Sequence, residues 1–239
     1  TKEAPVISYG EEADAILLTA RRAPVAAGSD QIIALLRKSE TTLTRTGGWD
    51  ALGMRGTCSL GFTVSAEAGV DQILPVPYAD ISSQTMLPFS HILWTSLWLG
   101  IATDAVNRAR ASVRSEARKK PGTIPPAALR LAEVVAELQT MRATVQGAVA
   151  EYSASMADPE ALSGLGFAIR MNNLKVAASR LVVDVVGRAL AVTGLPGYKA
   201  DSKYALGRHL RDAHGAVLMI ANDRIYGANA AMLLVQKDD

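Results

Sequence analysis

Three stretches of about 30 residues each carry apolar side chains at helical spacing, and short breaks rich in Pro and Gly separate them. The first opens near Ser83. Leu93, Leu97, Ile101 and Ala105 follow a helical step, and the pattern runs on to Lys120. Pro121-Gly122 and Pro125-Pro126 stop it. The second spans Pro126 to Met156, with Leu131, Val134, Leu138, Met141, Val145, Val149 and Tyr152 as its apolar stripe. Asp158-Pro159-Glu160 is a helix start, with Asp158 as N-cap and Pro in the first turn. The third helix then runs to about Val192, closed by Gly194 and Pro196. Ser202 is expected to cap a fourth helix, and Asn222 a last short one ending near Val235. Long helices with short connections have few ways to bury their stripes, and an antiparallel four-helix bundle is the simplest.

The chain before Ser83 has a different texture. Ala13–Arg21 and Gln31–Arg37 are short apolar runs bounded by Gly, Pro and Ser. Gly61–Ala66 alternates, with Phe62 and Val64 on one face. Ile73–Pro77 is held extended by its prolines. The expected class is α+β: a partial antiparallel sheet or barrel over residues 1–82, then a helical bundle over residues 83–239.

Composition excludes several functions. Apolar residues make up 49% and charged residues 20%, which describes a folded chain. A net charge of +2 gives no reason to expect nucleic acid or a membrane surface as partner. The longest apolar stretch, near Ile92–Ala102, is about half the length of a membrane span. A single cysteine, Cys58, rules out an internal disulfide framework and a cysteine-rich metal site. His209 and His214 are five apart and do not share a helix face, so no metal site is expected. With no signal peptide in view, the expected location is cytoplasmic.

Between two strand-like runs lies Trp49-Asp-Ala-Leu-Gly-Met-Arg-Gly-Thr-Cys-Ser59. Gly53 and Gly56 are expected to give this turn its positive φ angles or close approaches. The run resembles the middle-domain signature of acyl-CoA dehydrogenases. Three further pieces fall in the family's order: Val6-Ile-Ser-Tyr-Gly-Glu-Glu-Ala-Asp14 with Ala20-Arg21, Thr193-Gly194-Leu-Pro-Gly197-Tyr198, and Arg211-Asp212.

The resemblance implies an FAD-dependent oxidoreductase with FAD between sheet and bundle. It also implies oxidation of an acyl-CoA thioester at Cα–Cβ or, in the monooxygenase branch, activation of O2. Ser8 occupies the position whose hydroxyl meets flavin N5. Thr193 and Gly194 stand where a neighbouring subunit's glycines meet FAD pyrophosphate, which implies a homodimer or homotetramer. Asn222 and Asp223 replace a Gly-Thr pair near the flavin, and Arg118 opens the family's FAD-binding Arg-x-x-Phe-Gly stretch.

The chain also departs from the family. Its catalytic glutamate aligns with Ile220 or Gly227, neither of which takes a proton. Pro121 replaces the Phe after Arg118, Ala128 a Gln, and Val6 the Trp that shields the flavin. The N-terminal helical domain has no counterpart, so a truncated chain or a separate chain carrying the N-terminal half is expected. His91, early in the first bundle helix, is then the candidate proton acceptor, with packing against Trp94 as the plainer alternative. His214 is a weaker candidate in the monooxygenase branch. Arg110, Arg114 and Arg118, four apart, form either a solvated face or a contact for the diphosphate of CoA or FAD. A non-catalytic subunit of a larger complex remains the alternative outside catalysis.

Overall fold

Phe62 and Val64 organise the N-terminal part of the chain in the computed structural model, which describes residues 1–236. Five strands form here: β1 (Lys2–Ile7), β2 (Ala15–Arg21), β3 (Gln31–Arg37), β4 (Thr41–Gly47) and β5 (Leu60–Ala66). The strand β5 lies in the middle of an antiparallel sheet ordered β1-β5-β4. Phe62 faces Ala4 on one side and Arg45 on the other, and Val64 faces Lys2 and Leu43. The period of two sends both Phe62 and Val64 inward, where they are 1% and 2% exposed. Strands β2 and β3 form a separate antiparallel hairpin whose Leu36 joins the same apolar cluster. The segment after β5 makes a single 3-10 turn at Val70–Gln72 and meets β3 at an Ala34–Ile73 bridge, where Leu74 N–H donates to Ile33 O at 2.9 Å. It then bends at Pro75 and Val76, so the extended run expected over Ile73–Pro77 is interrupted. A one-turn helix, α1 (Tyr78–Ile81), ends this unit, which spans Thr1–Ser82.

The turn Trp49–Ser59 corrects one expectation. The left-handed residues are Met54 (φ 51°) and Cys58 (φ 45°), while Gly53 and Gly56 do not take positive φ. The turn holds this geometry through its hydrogen bonds. The Met54 carbonyl accepts from the Trp49 indole N–H at 3.1 Å, the Thr57 hydroxyl at 2.9 Å and the Thr57 backbone N–H at 3.2 Å.

The second unit, from Ser83 on, is helical. Its long members are α2 (Leu87–Lys119), α3 (Ala127–Ser155) and α5 (Leu165–Thr193). Short ones follow in chain order: α4 (Pro159–Ser163) before α5, then α6 (Leu195–Tyr198), α7 (Gly207–His214) and α8 (Asn222–Leu233). Ala102, Ala105 and Ala109 line the buried face of α2 and are fully buried, as are Val182, Val185 and Val186 of α5. Small residues on one helix against β-branched ones on the other let the two axes approach closely. Met141 and Leu138 of α3 fill the third side. The arrangement is an antiparallel bundle following an antiparallel sheet.

Three helix boundaries differ from the sequence reading. The third long helix is not continuous from Asp158. Asp158 does cap α4, its Oδ1 accepting from the N–H groups of Glu160 and Ala161. Gly164 then turns extended (ψ 141°), and α5 starts afresh at Leu165. Ser202 caps no helix; its hydroxyl accepts from Tyr204 N–H in a turn, and α7 begins after Leu206. Asn222 is the first residue of α8 rather than its cap, because its side chain is drawn inward, as described below. Among the described residues, no helix is long and apolar enough to cross a membrane.

Cys58 is exposed and left-handed, so its side chain contributes little to offset the backbone cost. Cys58→Asn is expected to raise the unfolding free energy by about 1 kcal/mol, because Asn tolerates this region and Cys does not. Urea unfolding of the two proteins checks this, and Cys58→Val should move the other way.

Candidate functional site

Three groups of polar side chains stand out, one in the first unit and two in the second. The first is a chain of hydroxyls. Ser8, immediately after β1, lies 2.9 Å from Ser59 Oγ, and Ser59 lies 2.7 Å from Thr57 Oγ1. Ser8 is exposed, whereas Ser59 is 6% exposed. Tyr9 is left-handed (φ 54°), and its N–H donates to Thr57 O at 3.2 Å, which pins the two segments together.

The second group is buried in the bundle around Lys175, which sequence reasoning did not single out. The signal was present: a lysine stands on the apolar face of α5 between Met171 and Val182, where a stripe residue belongs. Lys175 has no exposed surface. Its ammonium donates to Ile220 O at 2.7 Å and to Asn222 Oδ1 at 2.8 Å, and it lies 5.8 Å from the Trp98 ring centroid. Burial lowers its pKa to about 8, so it remains charged at neutral pH. Asn222 completes the network by donating to Ser179 Oγ at 3.1 Å. Asp223, its neighbour, is exposed in the first turn of α8. Ile220, where the resemblance puts the family's glutamate, is left-handed (φ 50°) with its carbonyl held by Lys175.

His91 belongs to this group. It is 2% exposed and stacks on Trp94 at 6.2 Å between centroids. His91 Nδ1 lies 3.0 Å from Ser90 Oγ, which also lies 3.1 Å from Leu87 O. The other ring nitrogen, Nε2, is fully buried, with the Asn172 side chain as its polar neighbour. Burial, then the charge of Lys175, pushes the pKa down to about 4, against a smaller opposing contribution from Asn172. His91 is thus an unprotonated but weakly basic imidazole, enclosed by the bundle.

The third group is a groove of about 660 Å³ along the second half of α2, closed by Lys203 and Tyr204. Arg110, Arg114 and Arg118 line it, and Arg108 stands at its inner end. Arg108 is engaged, donating to Asp104 Oδ2 at 2.8 Å and to Ala205 O at 3.2 Å. His209 Nε2–H donates to the same carboxylate oxygen at 2.7 Å. Partial burial pushes Asp104 up, but the hydrogen bonds from Arg108 and His209 outweigh it and hold the carboxyl below its usual range. Arg110 leans on Asn107, and Arg114 and Arg118 are exposed to the groove. The spacing of four read from the sequence therefore faces a concave surface.

Thr193 and Gly194 end α5 at some cost to the sequence expectation. The Thr193 side chain is buried and donates to Ala189 O at 2.7 Å. Gly194 does adopt a conformation that only glycine favours (φ 66°, ψ −147°), but its N–H already donates to Leu190 O at 2.7 Å. Gly197 is needed for packing, since a Cβ there would lie 2.9 Å from the Thr193 side chain. His214 is exposed at the end of α7. Among the described residues, no group of three or more His, Cys, Asp or Glu could hold a metal ion.

The depressed pKa of His91 gives a pH dependence of definite sign. Between pH 6.5 and about 4 the unfolded chain binds a proton that the folded chain refuses. Stability contributed by neutral His91 is therefore present above pH 6.5 and is lost as the pH falls, by about 3 kcal/mol in all. Chemical unfolding at pH 7 and pH 4 should show a steeper loss for the unaltered protein than for His91→Phe.

Comparison with known proteins agrees with this architecture. The family profile described as acyl-CoA dehydrogenase, C-terminal domain, matches residues 82–219. No curated protein matches the sequence. Among solved structures, the dibenzothiophene monooxygenase TdsC of Paenibacillus sp. A11-2 is similar, with a TM-score of 0.76 and 24% identity over 99% of this chain and 64% of that one. TdsC has also been solved with FMN bound. Butyryl-CoA dehydrogenase of Megasphaera elsdenii gives a TM-score of 0.75 at 17% identity, over 98% of this chain and 59% of that one. A nitrososynthase of Micromonospora carbonacea var. africana gives 0.76 at 19%, over 99% and 62%. The chain thus spans less than two thirds of each, and at these identities the likeness is one of fold. The profile match covers more than half of the sequence, and the chain belongs to the acyl-CoA dehydrogenase family, whose C-terminal domain it contains.

Proposed function

We propose that this chain is the sheet-and-bundle part of a flavin-dependent oxidoreductase, and that its chemistry is of the monooxygenase rather than the dehydrogenase type. The observation that carries this reading is the occupant of the base position. Dehydrogenation of a thioester needs a carboxylate near the substrate α-carbon. The resemblance assigns that carboxylate to Ile220, whose carbonyl is tied to the Lys175 ammonium, or to Gly227, which offers no side chain. A cation beside the loop stabilises negative charge and does not accept a proton. His91 is enclosed and held near pKa 4, which disfavours it as the substitute base.

The residues present fit a flavin. Bound flavin would supply a two-electron redox centre. Ser8 offers an exposed hydroxyl on a turn pinned by the Tyr9–Thr57 bond, suited to meet N5. The groove of Arg110, Arg114, Arg118 and Lys203 is suited to two adjacent phosphates, those of a neighbouring subunit's cofactor. This favours FAD, with FMN as the alternative because its single phosphate leaves much of the groove unfilled. The proposed role of Arg118, Thr193 and Gly194 is contact with a neighbouring subunit's cofactor in a dimer or tetramer. Asn222 and Asp223 are proposed to flank the flavin. Asn222 does so as part of the Lys175 network, and Asp223 from the exposed first turn of α8.

Two measurements test the reading. Titration should show FAD bound more tightly than FMN, and the double substitution Arg114→Ala and Arg118→Ala should weaken FAD by about tenfold to hundredfold with little effect on FMN. Equal losses for both would remove the diphosphate assignment. Reduced flavoprotein mixed with O2 and an organic substrate should give an oxygenated product. Bleaching of the flavin by butyryl-CoA instead would favour the dehydrogenase reading, with a base supplied from outside this chain.

A further inference from the structure

We infer that Thr57 and Ser59 are positioning residues that fix the Ser8 hydroxyl as a hydrogen-bond acceptor toward its exposed side, and so make this turn prefer reduced over oxidised flavin. The inference rests on the flavin reading above for its ligand, and on hydrogen-bond arithmetic for its direction. Each hydroxyl owns one proton. Thr57 Oγ1 donates its proton to the Met54 carbonyl, which can only accept. Thr57 therefore has only lone pairs left for Ser59, so Ser59 must be the donor across the 2.7 Å contact. The Ser59 proton is then used, and Ser8 must donate across the 2.9 Å contact. Every proton in the chain points toward the Met54 carbonyl. The oxygen of Ser8 is left with lone pairs facing outward and no proton to offer.

The surrounding backbone holds this order. Ser59 is 6% exposed, so water does not readily replace its partners. Cys58, between the two hydroxyl residues, and Tyr9, after Ser8, are both left-handed non-glycine residues. Such conformations persist only where the surroundings impose them. Hydrogen bonds in a chain also polarise one another in the same sense, which strengthens the lone-pair side of the terminal oxygen. Reduced flavin carries a proton on N5 and donates it; oxidised flavin has an N5 that accepts. An acceptor-only Ser8 bonds the first and leaves the second unpaired.

The test is the ratio of reduced to oxidised flavin affinity, read as midpoint potential in the protein loaded with FAD and, separately, FMN. Ser59→Ala frees the Ser8 proton and should lower that ratio by about tenfold, a fall of about 30 mV for a two-electron couple. Thr57→Val should lower it at least as much, because Ser59 then turns its proton to Ser8. Ser59→Thr keeps a hydroxyl and should restore the original potential. A purely structural role would weaken both redox forms alike and leave the potential unchanged, and that result overturns the inference. If neither FAD nor FMN binds, the flavin reading itself falls and takes the redox preference with it. The proton order is still read by neutron diffraction on flavin-free crystals: deuterons on the Ser8–Ser59 and Ser59–Thr57 lines support it, and a Ser59 deuteron directed at Ser8 overturns it.

Discussion

A buried ammonium ion decides how the end of this chain is attached. Lys175 has no contact with water, so its charge must be met by oxygen atoms from within the protein. It takes them from the turn before α8 and from the first residue of α8. The rest of that helix is tied to α5 in the same polar manner. Asn172 donates to Asn229 at 2.7 Å, and Asn229 donates to Asn173 at 2.9 Å. Ile225 is the one apolar side chain among the buried residues of α8. A short helix with so little apolar burial does not dock by hydrophobicity. It is registered by a ladder of directional bonds, of which Lys175 is the charged member.

The same charge shapes its neighbourhood. It adds to burial in keeping His91 neutral, and it holds Ile220 in a conformation that a β-branched residue otherwise avoids. Removing one partner from such a network leaves a buried charge or a buried carbonyl unmet, which costs more than the bond itself contributes. The site is therefore specific but unforgiving: its polar groups satisfy one another only in this arrangement.

Much of this was legible in the sequence, and the parts that were not share a cause. The long helices and the β5 face followed from period, because burial of a stripe or an alternating face is a sum over many residues. The Asp158 cap followed from a local pattern of three residues. The break at Gly164 did not, because apolar spacing continues across it and only ψ distinguishes the two sides. Strand β4 carries no such signal, because its alternation is one of threonines rather than apolar residues. At the candidate site, Ser8, Arg118 and His91 could be named, but Lys175 and Ser59 could not be given partners. Their partners are 45 and 51 positions away, and one is a backbone carbonyl, which no residue letter encodes.

The carbonyl of Met54 shows what this means for variation. Three donors converge on it: the Trp49 indole, the Thr57 hydroxyl and the Thr57 amide. Because the acceptor is main chain, any residue able to enter the left-handed region can supply it. These three bonds thus depend on the backbone fold of residue 54, on the side chain at 49, and on the side chain and amide at 57. The hub of the turn is anonymous, and its identity is written only in the residues that point at it.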